Sequence, residues 1–155
     1  MTASAIPALI DALLTLCKAS PALDGITVHD GWPWQADAAD ALYIGCDDPW
    51  TRGRSHDGGS SDQEWATLGA RDRDEEATVT CAAAAWDGSG DAAAARSAAY
   101  QMVDAVQELL DADPRLGVPG VLKAVIANTR YRPGMDQYGA VCLVLFDVRA
   151  TVRLM

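Results

Sequence analysis

Clustered positive charge is missing from this sequence. Lysine occurs only at Lys18 and Lys123, the other basic residues are arginines scattered along the chain, and the formal net charge is -10. Affinity for phosphate backbones comes from massed Lys and Arg, so the composition argues against a protein whose main task is to hold nucleic acid. An acidic surface confers solubility, and it also lets DNA pass without sticking because like charges repel. Long apolar runs are missing too. No segment approaches the roughly 18 consecutive apolar residues that a membrane helix needs, and the longest clean run, Gly139 to Phe146, is strand-length. No membrane association is expected. Leu14-Thr15-Leu16-Cys17 loosely resembles a lipoprotein processing site. The match fails because there is no basic start, Asp11 interrupts the apolar stretch, and Leu16 stands where a small residue is needed. The chain is expected to be cytosolic when made.

Recognisable reactive-site motifs are equally scarce. Cys17, Cys46, Cys81 and Cys142 lie far apart, each inside an apolar stretch, as buried reduced thiols do. Ser55-His56-Asp57 has the residue types of a hydrolase triad, but triad groups converge from separated positions and adjacent loop residues do not. Neither His29 nor His56 has a Cys or His partner at metal-ligand spacing. Asp47-Asp48 before Pro49 reads as turn chemistry. Gly58-Gly59-Ser60-Ser61 has no following Lys and opens no helix, so it is not a phosphate-binding loop. No catalytic residue, cofactor or bound metal is expected, and the chain is not expected to be an enzyme.

What is present suits one folded domain over residues 1–155. Half of the 155 residues are hydrophobic, and the 22% that are charged are spread along the chain rather than massed in tails. Ile6, Leu9, Ile10, Leu13, Leu14 and Cys17 recur at the spacing of one apolar helical face, with Ser4 as a cap and Pro7 tolerable in the first turn. Ile26 to Asp30 and Ala41 to Cys46 read as short strands. Gln63 to Ala70 and Ala77 to Trp86 read as a hairpin whose turn is the charged run Arg71 to Glu76. A capped second helix follows from about Ala92 to Leu110, marked by Ala95, Ala99, Met102, Val103, Val106, Leu109 and Leu110, its small residues suited to lying close on a sheet. Val121 to Tyr131 and Tyr138 to Leu154 form a second hairpin with Pro133-Gly134 in its turn.

The order α-β-β-β-β-α-β-β lacks strict strand-helix alternation, so the expected class is α+β, with two helices packed on an antiparallel or mixed sheet. In the last strand the even-numbered residues from Tyr138 to Leu154 share an apolar face. The other face is apolar at Val141, Leu143 and Leu145 and polar at Asp147, Arg149, Thr151 and Arg153, so one end is buried on both sides and the other half covered. At about 3.3 Å per residue a straight strand of that length spans on the order of 55 Å. A compact domain of this size is roughly 40 Å across. The strand must bend, bulge, or pair with a neighbouring molecule.

Trp32, Trp34 and Trp50 all fall in expected turns or loops. Two readings stand for them, interface anchors or lids over the domain's own core. Trp65 and Trp86 lie on strands and read as ordinary packing. The stretch from about 47 to 62 is rich in Gly, Ser and Asp and reads as one long flexible loop, with Trp50, Arg52 and Arg54 as its contact residues.

Several phrases together resemble the tail terminator proteins of long-tailed, siphovirus-type bacteriophages infecting actinobacteria. They are the opening helix Ile6 to Leu16, Ile26-Thr27-Val28-His29-Asp30-Gly31-Trp32-Pro33, Leu42-Tyr43-Ile44-Gly45, Glu64-Trp65-Ala66-Thr67-Leu68-Gly69, Glu75-Glu76-Ala77-Thr78-Val79, the alanine-rich helix with Arg96, and Leu116-Gly117-Val118-Pro119-Gly120-Val121. The likeness lies in element order and short phrases across nearly the whole chain. It implies a structural virion protein forming a hexameric ring that caps the head-proximal end of the tail tube, stops tube polymerisation and offers a docking surface to the head or neck. The implied partners are copies of itself, the tail tube protein and a neck or head-completion protein, with genomic DNA passing through the ring. Assembly would take place in the host cytoplasm. Trp50, Arg52, Arg54, Trp32, Trp34, Arg149 and Arg153 are the candidate subunit or tail-tube contacts. The alternatives are another head-tail joining ring protein and a small cytosolic binding or regulatory domain.

Overall fold

The computed structural model describes residues 2–33, 39–51, 55–69 and 71–155. The first helix, α1, spans Ile6–Ala19 with Pro7 in its opening turn, and its apolar stripe buries Leu9, Leu13, Leu14 and Cys17. Ser4 Oγ accepts the amide of Ile6 at 3.1 Å, so the serine satisfies a free N–H at the helix start. Ser20 ends the helix and a short 3-10 turn, Pro21–Leu23, leads to β1 (Thr27–Asp30) and β2 (Ala41–Ile44). Next come β3 (Gly59–Trp65), β4 (Arg73–Asp87), α2 (Ala92–Ala112), β5 (Val121–Asp136) and β6 (Gly139–Leu154). The element order agrees with the sequence reading, and the class is α+β.

The six strands form one mixed sheet in the order β1-β2-β4-β6-β5, with β3 also paired to β4. Only the β1–β2 pair is parallel. The long β4 is shared lengthwise: its first half pairs with β3 and its second half with β2, while β6 runs beside it throughout. Both helices cover one face. There the even-numbered residues of β6 from Ala140 to Leu154 meet Leu9, Leu13, Met102, Val106 and Leu110. Asp91 caps α2, accepting from the amides of Ala93 (3.0 Å) and Ala94 (3.3 Å). Ala95 and Ala99 are fully buried beneath the helix, which the missing side-chain bulk allows to lie against the sheet. A smaller cluster occupies part of the other face, where Ala41, Tyr43, Cys46, Ala82, Ala84, Leu143 and Leu145 are lidded by Trp32, Trp50 and Trp86.

Both hairpin turns differ from the sequence reading. The charged run is not the first turn: β4 begins at Arg73, and β3 ends at Trp65 rather than near Ala70. Cross-strand partners draw the charges into the strand. Arg153 holds Asp74, Thr151 Oγ1 donates to Glu76 at 2.9 Å, and Glu75 turns inward. The turn lies after Trp65, where Gly69 adopts a positive φ of 83°. Residues 59–62, expected in the long loop, belong to β3. In the second hairpin Pro133 and Gly134 are not the turn but members of β5, opposite Cys142 and Val141. β5 is the edge strand, where proline's missing donor costs no ladder bond. The chain reverses instead at Gln137-Tyr138, closed by the Tyr138 amide donating to Asp136 Oδ1 at 2.7 Å.

The over-long last strand stays within its own chain. β6 keeps an unbroken register against β4, and the irregularities fall in β5, between Val121 and Lys123 and between Ala127 and Arg130. At the second of these Asn128 takes a left-handed φ of 53°.

Candidate functional site

The sequence-derived contact residues separate into three groups. Trp34, Arg52 and Arg54 lie outside the described residues. Trp32 and Trp50 are half-buried and fold onto the chain's own second core cluster. Trp32 Nε1 donates to the Pro49 carbonyl at 3.0 Å, and its ring lies 5.0 Å from that of His56. Trp50 is held through its amide by Asp48 Oδ1 at 2.9 Å, and its ring tilts against Trp86 at 5.2 Å. Its own Nε1 is buried without a hydrogen-bond partner among the described residues. Of the two readings, these contacts favour the lid for Trp32 and Trp50. Arg149 and Arg153 form the third group. Both are exposed on β6, and Arg153 is clasped through Nε and Nη2 by Asp74, whose hydrogen bonds and then charge hold the guanidinium still more firmly protonated.

Two exposed apolar positions contradict the expectation of ordinary packing or were not singled out. Trp65, at the end of β3, is 66% exposed, and Leu68 stands free in the adjoining turn. On the opposite flank of the sheet, β5 and its turn expose Leu122, Met135 and Tyr138. The sequence reading places Leu68 and Tyr138 inside strands, and their exposure follows from the strands ending at Trp65 and beginning at Gly139, which leaves both residues in turns.

The loop between β2 and β3 makes a cluster that linear spacing conceals. The backbone of Thr80 in β4 holds both arms, accepting from the Cys46 amide at 2.9 Å and donating to the Gly58 carbonyl at 3.0 Å. This brings His56 beside the β2 end, where its Nδ1 lies 2.8 Å from Asp47 Oδ1. Cys46 and His56 do not stand at metal-ligand spacing in the sequence, yet the fold brings Cys46, Asp47 and His56 together with ligand atoms within 4.8 Å of one another. Asp48 behaves as expected of turn chemistry at Trp50 and also binds Arg132 Nη1 at 2.9 Å, tying the loop to β5. His29 stacks on Tyr43, with ring centroids 5.0 Å apart.

All four cysteines are buried. Burial, followed by the charges of Asp47 and Asp48, pushes the Cys46 thiol up to about 12. Nucleophilic cysteines have depressed values, so this thiol has the opposite character. Among the described residues no helix is long and apolar enough to cross a membrane. The sequence matches no protein-family model, and no curated protein matches it closely enough to identify a relative.

Proposed function

We propose that this chain is a ring-forming virion protein of the tail-terminator kind, which caps the head-proximal end of a phage tail tube, stops its growth and receives the neck. The observation that carries the reading is the pair of open, apolar flanks on a single sheet. β5 ends the strand order at one side with Leu122, Met135 and Tyr138 exposed, and on the other side of β4 the β3 hairpin, paired to β4 alone, exposes Trp65 and Leu68. Long unpaired edges invite pairing with another chain unless they are covered. Two different apolar flanks favour head-to-tail contact, and a head-to-tail contact closes into a ring when its rotation divides the circle. The resemblance in element order supplies the hexamer and the tail-tube partner, and the net charge of -10 suits a lumen through which DNA slides.

Such proteins can remain monomeric until they meet the tube, so the test adds the purified chain to growing tail tubes and images the product. Tubes of fixed length capped at one end by a six-fold ring are expected. Uncapped tubes, or a cap of another symmetry, would overturn the reading. The double variant Met135→Asp, Tyr138→Asp should fold normally and lose capping.

A further inference from the structure

The loop that leaves β2 and returns at β3 brings together three different metal-ligating side chains. We propose that Cys46, Asp47 and His56 bind a divalent cation of the zinc class, stapling the two arms of this loop together beside β4. The inference is independent of the assembly reading.

The donor chemistry selects the ion. A sulfur, an imidazole nitrogen and a carboxylate oxygen within 4.8 Å of one another suit zinc, which accepts three protein ligands and completes its shell with water. Calcium and magnesium call for oxygen donors and do not match the thiol and imidazole. His56 supplies the second observation. Its side chain is only 6% exposed, Nδ1 faces Asp47, and Nε2 is buried without a hydrogen-bond partner among the described residues. A purely structural buried histidine ordinarily satisfies both nitrogens. Nδ1 is the nitrogen that stands against another of the three donors, 2.8 Å from Asp47 Oδ1, so a cation shared by the two would take the place of their hydrogen bond.

The site is also held in place by the fold. Thr80 fixes Cys46 on one side and Gly58 on the other, so the backbone on both sides of the ligands is anchored to β4 before any ion arrives. The Trp32 ring lies 5.0 Å from the His56 ring and shields it. Preorganisation of this kind lowers the cost of gathering ligands.

The test is a cobalt titration of the full-length, reduced, metal-stripped protein, followed by displacement with zinc. One equivalent should bind with a near-ultraviolet sulfur-to-cobalt charge-transfer band and the visible bands of tetrahedral cobalt. Zinc should displace it and raise Tm. Cys46→Ser should abolish the charge-transfer band. His56→Gln should weaken binding by about tenfold or more. Cys142→Ser, on the helix-covered face, should keep the band. No saturable binding at millimolar metal, or a band that survives in Cys46→Ser, would overturn the proposal. If Cys46→Ser fails to fold, His56→Gln decides, because unchanged cobalt affinity there is equally fatal.

Discussion

Glu75 Oε1 accepts the main-chain N–H of Ala5 at 2.8 Å across 70 positions of sequence, so one carboxylate closes the start of α1 onto the sheet. Ser61 Oγ and Gln63 Nε2, the latter at 3.1 Å, donate to its other oxygen. Gln63 Nε2 also reaches the Ala3 carbonyl at 2.6 Å, fastening the segment before the helix to β3. A negative charge at a helix N-terminus is favoured by the helix dipole as well as by these donors.

Replacing Glu75 should therefore be costly. Its burial alone would raise the carboxyl pKa, but hydrogen bonds from the Ser4 and Ser61 side chains, the Ala5 amide and Gln63 outweigh burial and hold it below the ordinary 4.5. Because the folded pKa is depressed, the stabilisation is complete above the ordinary value and is lost as pH falls through the folded one. Glu75→Ala should lose about 1.5–3 kcal/mol near neutrality, the worth of a buried charge-assisted hydrogen bond. Glu75→Gln should fall between the two and show a flatter acid limb. Urea unfolding at neutral and acidic pH measures both. An unchanged acid limb in Glu75→Gln would show that another group governs acid unfolding.

Gly139 opens β6 at a φ of 119°, and a Cβ there would sit 2.1 Å from the Asp87 carbonyl oxygen. The obstacle is backbone, so no side chain can rotate away. Gly139→Ala should destabilise by at least about 1–3 kcal/mol, the scale of an enforced disfavoured backbone, and hydrogen exchange should rise first in the β5–β6 turn. Stability equal to wild type in thermal unfolding would show that the Asp87–Gly139 approach relaxes freely.

Much of this fold is written in periodicity. The stripe from Ile6 to Cys17 and the alternation from Ala140 to Leu154 each bury one side against a single partner surface, so each residue's environment follows from its spacing. The turns were misread because their local signals lost to distant partners. Asp74 and Glu76 look like solvated turn residues until Arg153 and Thr151 stand opposite them, and Pro133-Gly134 looks like a turn until β5 proves to be an edge. The Cys46–Asp47–His56 cluster was invisible for the same reason. Its ligands meet only because Thr80, far along the chain, anchors both arms of the loop.

The buried alanines under α2 make a prediction about close packing. Ala95 and Ala99 have no exposed surface, and interiors at crystal-like density have no room for extra methylenes. Ala99→Leu should cost about 1–3 kcal/mol by overpacking, measured as a shift of the urea midpoint at unchanged slope. Phe146→Ala, on β6 beneath the helices, should cost about 3–5 kcal/mol by leaving a cavity. Ala99→Leu as stable as wild type would mean that α2 stands off the sheet farther than its buried alanines indicate.

Trp50 distinguishes a lid from a docking anchor. Its ring covers Ala41, Tyr43, Leu143 and their neighbours and leans on Trp86, while Asp48, which fixes its amide, is itself held by Arg132 of β5. If it is a lid, Trp50→Ala uncovers apolar surface in the isolated chain and lowers Tm whether or not a partner is present. If it is an anchor, stability is untouched and only assembly suffers. The contacts favour the first outcome, with a loss of about 2 kcal/mol, below the range for a fully buried tryptophan because this one is half-buried. Trp50→Phe sharpens the test. It keeps most of the apolar cover and removes an indole N–H that is buried without a partner among the described residues, so the loss of area and the relief of that donor oppose each other. Its Tm should lie much nearer wild type than that of the alanine variant. Thermal unfolding of the three proteins, each repeated with tail tubes present, decides the matter: a wild-type Tm for Trp50→Ala combined with failed capping would return Trp50 to the interface.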